Sequence, residues 1–90
     1  MSNVTMYTRK EPYCYYCDEA KKMLDYYGVK FKNIIIGEDI SRYKFLMDFP
    51  NVKTIPAIFF DETYIGGLKE LKEKVWQLPV GNPDTHGWWI

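Results

Sequence analysis

The chain has 90 residues, and its 12 basic and 12 acidic side chains cancel, so no overall field draws it to nucleic acid or to an anionic membrane. Hydrophobic residues make up 47% and aromatic residues 18%, which is enough for the core of one small domain without disulfide staples and argues against intrinsic disorder. No stretch comes near the ~20 apolar residues that span a bilayer, and the opening "MSNVTMYTRKE" lacks a positive segment followed by an apolar run, so a cytoplasmic protein is expected.

Val4-Thr5-Met6-Tyr7 reads as a short strand, and Thr8 to Tyr13, broken by Pro12, as the loop after it. From Cys17, the residues Ala20, Met23, Leu24 and Tyr27 recur at helical spacing, with Asp18, Glu19, Lys21, Lys22 and Asp25 on the opposite face and Gly28 as a stop. Asp18 and Glu19 near the start suit the helix dipole. Val29 to Ile36 ("VKFKNIII") ends in a β-branched run and predicts a strand buried on both faces beside the first. Ser41 to Phe49 predicts a short second helix, with Tyr43, Leu46 and Met47 at compatible spacing and Pro50 ending it. Ala57 to Phe60 is the next strand, Asp61-Glu62 a tight turn, Thr63 to Ile65 its antiparallel partner, and Gly66-Gly67 a break. A last helix follows, with Leu68, Leu71, Val75 and Leu78 as its apolar stripe.

The order β-α-β-α-β-β-α describes an α/β domain. Its β-α-β start needs a right-handed crossover between parallel strands, and the later hairpin adds antiparallel ones, giving a mixed four-stranded sheet covered by helices. This domain is expected to span 1–78. Residues 79–90, "PVGNPDTHGWWI", are rich in proline and glycine and read as an irregular C-terminal tail. Within it, Trp88 and Trp89 are expected to fold back over an apolar surface, and His86 to be a surface residue.

Both cysteines lie in "EPYCYYC", which contains two overlapping motifs: Glu11-Pro12-Tyr13-Cys14, a redox motif without its first cysteine, and the intact Cys14-Tyr15-Tyr16-Cys17. A bridge between residues so close would close too small a loop to stabilise much, so the pair points to chemistry. A C-x-x-C between a strand and a helix puts its first cysteine at the helix N-terminus. There, unpaired N–H groups and the dipole lower a thiol from ~8.5 to ~3.5–7.5. Cys14 is then the natural exposed nucleophile, and Cys17, one turn inward and more shielded, the resolving thiol. Two competing readings are a pair of buried small hydrophobes and half of a zinc site. Zinc wants four ligands, and His86 is the one other soft donor.

"MYTRKEPYCYYCDEAKKMLDYYGVKF", "TIPAIFFDETYIGG" and "LKEL" resemble the glutaredoxin family, of the thioredoxin-like fold, over about Val4 to Val75. In that family the active-site motif runs into a helix with an Ala-Lys pair and, some turns on, a glycine. Cys17 as the second cysteine reproduces this, with Ala20-Lys21 and Gly28 in place. The resemblance therefore selects Cys14-Tyr15-Tyr16-Cys17 as the site and leaves "EPYC" to the preceding loop. That loop is longer than is usual in bacterial members and like that of phage-type ones. Tyr15 stands where the family usually has proline, and Tyr16 keeps the family's tyrosine.

The resemblance implies a glutathione site as well. Thr54-Ile55-Pro56 resembles the family's Thr-Val-Pro, in which the proline is cis and the preceding residue pairs through its backbone with glutathione laid alongside. Gly66-Gly67 resembles its double glycine, where the missing Cβ lets the ligand approach, and the helix start beyond faces the glutamyl carboxylate. Glu70 is the candidate for the glutamyl amine, while Lys69 occupies a commonly acidic position. Arg9, Lys10 and Lys53 are candidates for the glycine carboxylate.

The activity implied is thiol-disulfide exchange on protein disulfides and glutathione mixed disulfides by a monomer. Glutathione serves as co-substrate, and neither a metal nor a bound cofactor is needed. Two alternatives stand beside it. One is a dedicated electron donor to ribonucleotide reductase fed by thioredoxin reductase, although such proteins usually carry a Trp-Ser-Gly-Phe-like segment in place of Gly66-Gly67-Leu68. The other is a glutathione-dependent iron-sulfur carrier bridging two chains through Cys14.

Overall fold

Alternating burial defines the first strand. In a computed structural model, which describes residues 3–78, Val4–Thr8 forms β1, with Val4, Met6 and Thr8 buried and Thr5 and Tyr7 partly covered on the other face. The one polar side chain turned inward, Thr8, donates its hydroxyl to Asn33 Oδ1 at 2.8 Å.

Helix α1, Tyr15–Tyr26, buries Cys17, Ala20 and Leu24 along one stripe. It ends as Gly28 predicts. That residue has φ +68°, its N–H donates to the Asp25 carbonyl at 3.0 Å, and the Val29 N–H donates to the Leu24 carbonyl at 2.9 Å. The two bonds form a Schellman closure, which needs a left-handed residue at this position.

Strand β2, Lys32–Ile35, is shorter than the expected 29–36 and is not buried on both faces; Lys32 is exposed and the other three are half-buried. The strand order β2-β1-β3-β4 explains this, because β2 lies at the sheet edge with β1 as its one neighbour. Val29 is buried, but in the closure of α1 rather than in the sheet.

Helix α2, Arg42–Asp48, starts on Ser41, whose Oγ accepts the Lys44 N–H at 3.0 Å. Its inner residue is Phe45, while Tyr43, Leu46 and Met47, the spacing that suggested the helix, face outward. An aromatic cluster sets this rotation. Phe45 lies 5.2 Å from Tyr7 and 5.5 Å from Phe49, and both Tyr7 and Phe49 contact Phe59.

Strand β3, Ala57–Phe60, is buried throughout and runs antiparallel to both β1 and β4, Thr63–Gly66. The final helix is interrupted. Helix α3 covers Leu68–Glu73, and a three-residue 3-10 turn, Val75–Gln77, follows, where a single helix to Leu78 was expected. Hydrogen bonds tighten to three-residue spacing at Lys74 and Gln77, as helix ends often do, yet Leu71 and Leu78 both remain in the core.

The order is thus β-α-β-α-β-β-α around a mixed four-stranded sheet, β1 being parallel to β2 and antiparallel to β3. One face packs Val4, Met6, Ile58 and Phe60 against α1 and α3, and the other packs Tyr7, Ala57 and Phe59 against α2. His86, Trp88 and Trp89 lie outside the described residues.

Candidate active site

The loop after β1 delivers Cys14 to the N-cap of α1 with extended backbone (φ −118°, ψ 98°). Sulfur there takes the place usually filled by a serine or aspartate oxygen, and Cys14 Sγ accepts the Cys17 N–H at 3.1 Å. Cys14 and Cys17 form a disulfide with their Cα atoms 5.2 Å apart. Cys14 is the more accessible of the two, but only slightly, at 5% against 1%. The expectation of an exposed nucleophile is therefore corrected: in the disulfide form the outer sulfur is buried against the chain, 4.0 Å from the Ile55 carbonyl oxygen.

Tyr13, Tyr15 and Tyr16, which flank Cys14 in the chain, are all exposed, and the Tyr15 and Tyr16 rings meet edge to face at 5.5 Å. The Tyr13 hydroxyl donates to Asp18 Oδ2 at 2.6 Å, and this bond raises the phenol above its ordinary pKa because the anion would lose it.

Ile55 precedes Pro56 through a cis peptide, and among the described residues the Ile55 N–H has no protein partner. Two grooves meet at Thr54 and Ile55. The first, of about 470 Å³, is lined by Tyr16, Thr54, Ile55, Pro56, Gly67, Lys69 and Glu70, together with Leu68 and Lys72. The second, of about 490 Å³, carries Arg9, Lys53 and Arg42. The sequence-derived residues are thereby gathered on both sides of one backbone segment that touches Cys14. Lys10 is not among them; its ammonium pairs with Glu38 at 3.3 Å.

Glu70 is turned toward its own chain. Its Oε1 accepts the Gly67 N–H at 2.8 Å, and this bond, more than any other cause, holds the carboxyl below its usual range. It is one half of a capping box whose reciprocal bond is missing because glycine has no side chain. The double glycine likewise makes room for the protein itself. A Cβ on Gly66, at φ +123°, would lie 2.5 Å from the Glu70 side chain, and one on Gly67 would lie 3.3 Å from the Pro56 carbonyl oxygen.

The sequence reading did not single out Tyr64 or Arg42. Tyr64 has its pKa raised, first by burial and then by the nearby Glu70 charge, while a hydrogen bond with Thr54 opposes the shift. Hairpin register was the available signal: a two-residue turn at Asp61-Glu62 pairs Tyr64 with Phe59, next to the strand that leads from Pro56. Among the described residues, no three His, Cys, Asp or Glu side chains are grouped to hold a metal, and no helix is long and apolar enough to cross a membrane.

The profile of the glutaredoxin family matches residues 4–65. Glutaredoxin 3 of Escherichia coli K12 is 34% identical over 71 residues, 79% of this chain and 83% of that protein. Glutaredoxin 1 from Francisella tularensis, solved with cacodylate, superposes with a TM-score of 0.64 at 28% identity, covering 83% of this chain and 93% of that one. A buckwheat glutaredoxin-glutathione complex shares the fold at 24% identity, with a TM-score of 0.65 over 82% of this chain and 68% of that one. Alike in sequence over most of its length and carrying a Cys-x-x-Cys disulfide at the head of α1, the chain belongs to the glutaredoxin family and is a thiol-disulfide oxidoreductase.

Proposed function

We propose that this protein reduces protein disulfides and glutathione mixed disulfides in the cytoplasm, as a monomer, with glutathione as its reductant. In the reduced form, the Cys14 thiolate attacks one sulfur of the substrate disulfide, joins to it and expels the other sulfur as a thiolate. The Cys17 thiolate then attacks Cys14 Sγ, which releases the second substrate thiol and forms the Cys14–Cys17 disulfide. One glutathione thiolate reopens that bond at Cys14, and a second attacks the glutathionyl sulfur, leaving as glutathione disulfide. Two electrons pass in each half-cycle, and no further cofactor takes part.

The observation that carries this reading is the position of Cys14, whose sulfur already accepts the Cys17 N–H at 3.1 Å and faces the Ile55 backbone at 4.0 Å. A thiolate in that place gains a charge-assisted hydrogen bond and the positive end of the dipole of a 12-residue helix.

Glutathione fits the groove chemistry. It is extended, carries a carboxylate at each end and an amine at one, and can pair with the unpartnered Ile55 N–H beside Thr54 and Pro56. In this reading Arg9 and Lys53 receive the glycine carboxylate, and Tyr16, Gly67, Lys69 and the remaining oxygen of Glu70 flank the glutamyl end. Residues 1–78 form the catalytic unit.

Turnover assayed with glutathione and glutathione reductase, beside thioredoxin reductase, tests the electron source; activity only with the latter contradicts the proposal. Cys14→Ser abolishes all turnover. Cys17→Ser retains reduction of glutathione mixed disulfides and loses dithiol reduction of protein disulfides, and the reverse pattern contradicts the assigned roles.

A further inference from the structure

We propose that the face running from Ile55 across the cationic groove to the outer side of α2 docks protein substrates and selects disulfides flanked by acidic and apolar residues. This rests on the thiol-disulfide reading above and adds the class of protein substrate.

Charge is the first observation. The groove collects Arg9 from the loop after β1, Arg42 from the start of α2 and Lys53 from the segment before Thr54, against the single carboxylate of Glu11. Three of the nine other cations are neutralised in pairs, Lys10 with Glu38, Lys22 with Glu19 and Lys44 with Asp48. Among the described residues none of the three groove cations has such a partner. In a chain of zero net charge, this is a local field and not general basicity. Arg9 is also held in place, its Nε–H donating to the Pro12 carbonyl at 3.0 Å.

The second observation is the outer face of α2, where Tyr43, Leu46 and Met47 are 73%, 46% and 63% exposed at i, i+3 and i+4. Leu46 also lines the groove, so the apolar stripe and the cations form one continuous surface. Glutathione has no apolar side chain to lay on Tyr43 or Met47, so glutathione binding does not account for this stripe. A protein segment does. With its cysteine at Cys14 and its backbone along Ile55, acidic residues enter the groove and an apolar residue reaches α2.

The test uses three disulfide-closed peptides of equal length and identical ring, flanked by Asp and Leu, by Ser, or by Lys and Leu. The Asp/Leu peptide is expected to show a kcat/KM about tenfold above the Lys/Leu peptide at low ionic strength, with the ratio shrinking in about 0.5 M salt. Arg42→Glu, which takes the groove from three cations and one carboxylate to two of each, abolishes that preference. Tyr43→Ser with Met47→Ser lowers turnover of the Asp/Leu peptide several-fold and leaves the Ser peptide unchanged. Equal rates for the three peptides, or an Asp/Leu preference that survives both variants, overturns the docking proposal while the thiol-disulfide reading stands. No reduction of any peptide by protein whose two thiols are free to titrate overturns that reading, and the docking proposal with it.

Discussion

Glu70 shows how a residue of binding type can be taken up by the fold. The motif placed it after the double glycine, as a partner for a ligand amine, and the structure spends one of its oxygens on the Gly67 N–H at 2.8 Å. Nothing in the sequence distinguishes the two uses, because a glutamate three residues past a helix start serves as cap and as ligand equally well. Its pH dependence separates them. A carboxyl held below its ordinary 4.5 stabilises the fold when ionised, so the contribution is complete above that value and is lost as pH falls through the lower folded value. Comparing melting temperatures of wild type and Glu70→Gln is expected to show a stability difference of under about 1 kcal/mol near neutrality, given the half-exposed setting, that vanishes in acid. A difference independent of pH contradicts the capping role. The cysteines, by contrast, were legible from spacing and context, although not how little of Cys14 reaches solvent in the disulfide form.

Among the elements, long periodic patterns and clear stop signals were the readable ones. Helix α1 has three turns of unbroken apolar spacing and a glycine that can only close it, and the β3–β4 hairpin has its two-residue turn. Helix α2 was legible as a helix but not in its rotation. Seven residues make two turns, and with Tyr43, Phe45, Leu46 and Met47 on several sides, the aromatic cluster under the sheet decides which one turns inward. Strand β2 was misjudged for a related reason, since β-branched residues suit a central and an edge strand alike and only strand order tells them apart. Phe45 is thus the residue that fixes α2, and with it Arg42 and the groove wall. Phe45→Ala is expected to cost about 3–5 kcal/mol in denaturant unfolding, as truncating a buried phenylalanine does. A loss below about 1 kcal/mol contradicts the cluster's role.

For the molecule as a whole, element order and sheet type followed from the sequence, because a β-α-β start and a closing hairpin leave few topologies. What could not be read was convergence. Arg9, Lys53 and Thr54 were each named singly, but their meeting on either side of Ile55, with Arg42 as a further cation, depends on how loops from three parts of the chain pack at one end of the sheet. Both sulfurs and both grooves lie within residues 3–78. Deleting 79–90 is therefore expected to leave turnover of a small glutathione mixed disulfide within about twofold of the full chain; a larger loss contradicts the assignment of the catalytic unit to 1–78.

The most direct measurement is the pH dependence of iodoacetamide alkylation at Cys14 in the reduced Cys17→Ser variant, which leaves one thiol to report. The N-cap geometry predicts a thiolate forming with an apparent pKa below ~7.5, and a titration near ~8.5, like that of a free cysteine, contradicts it.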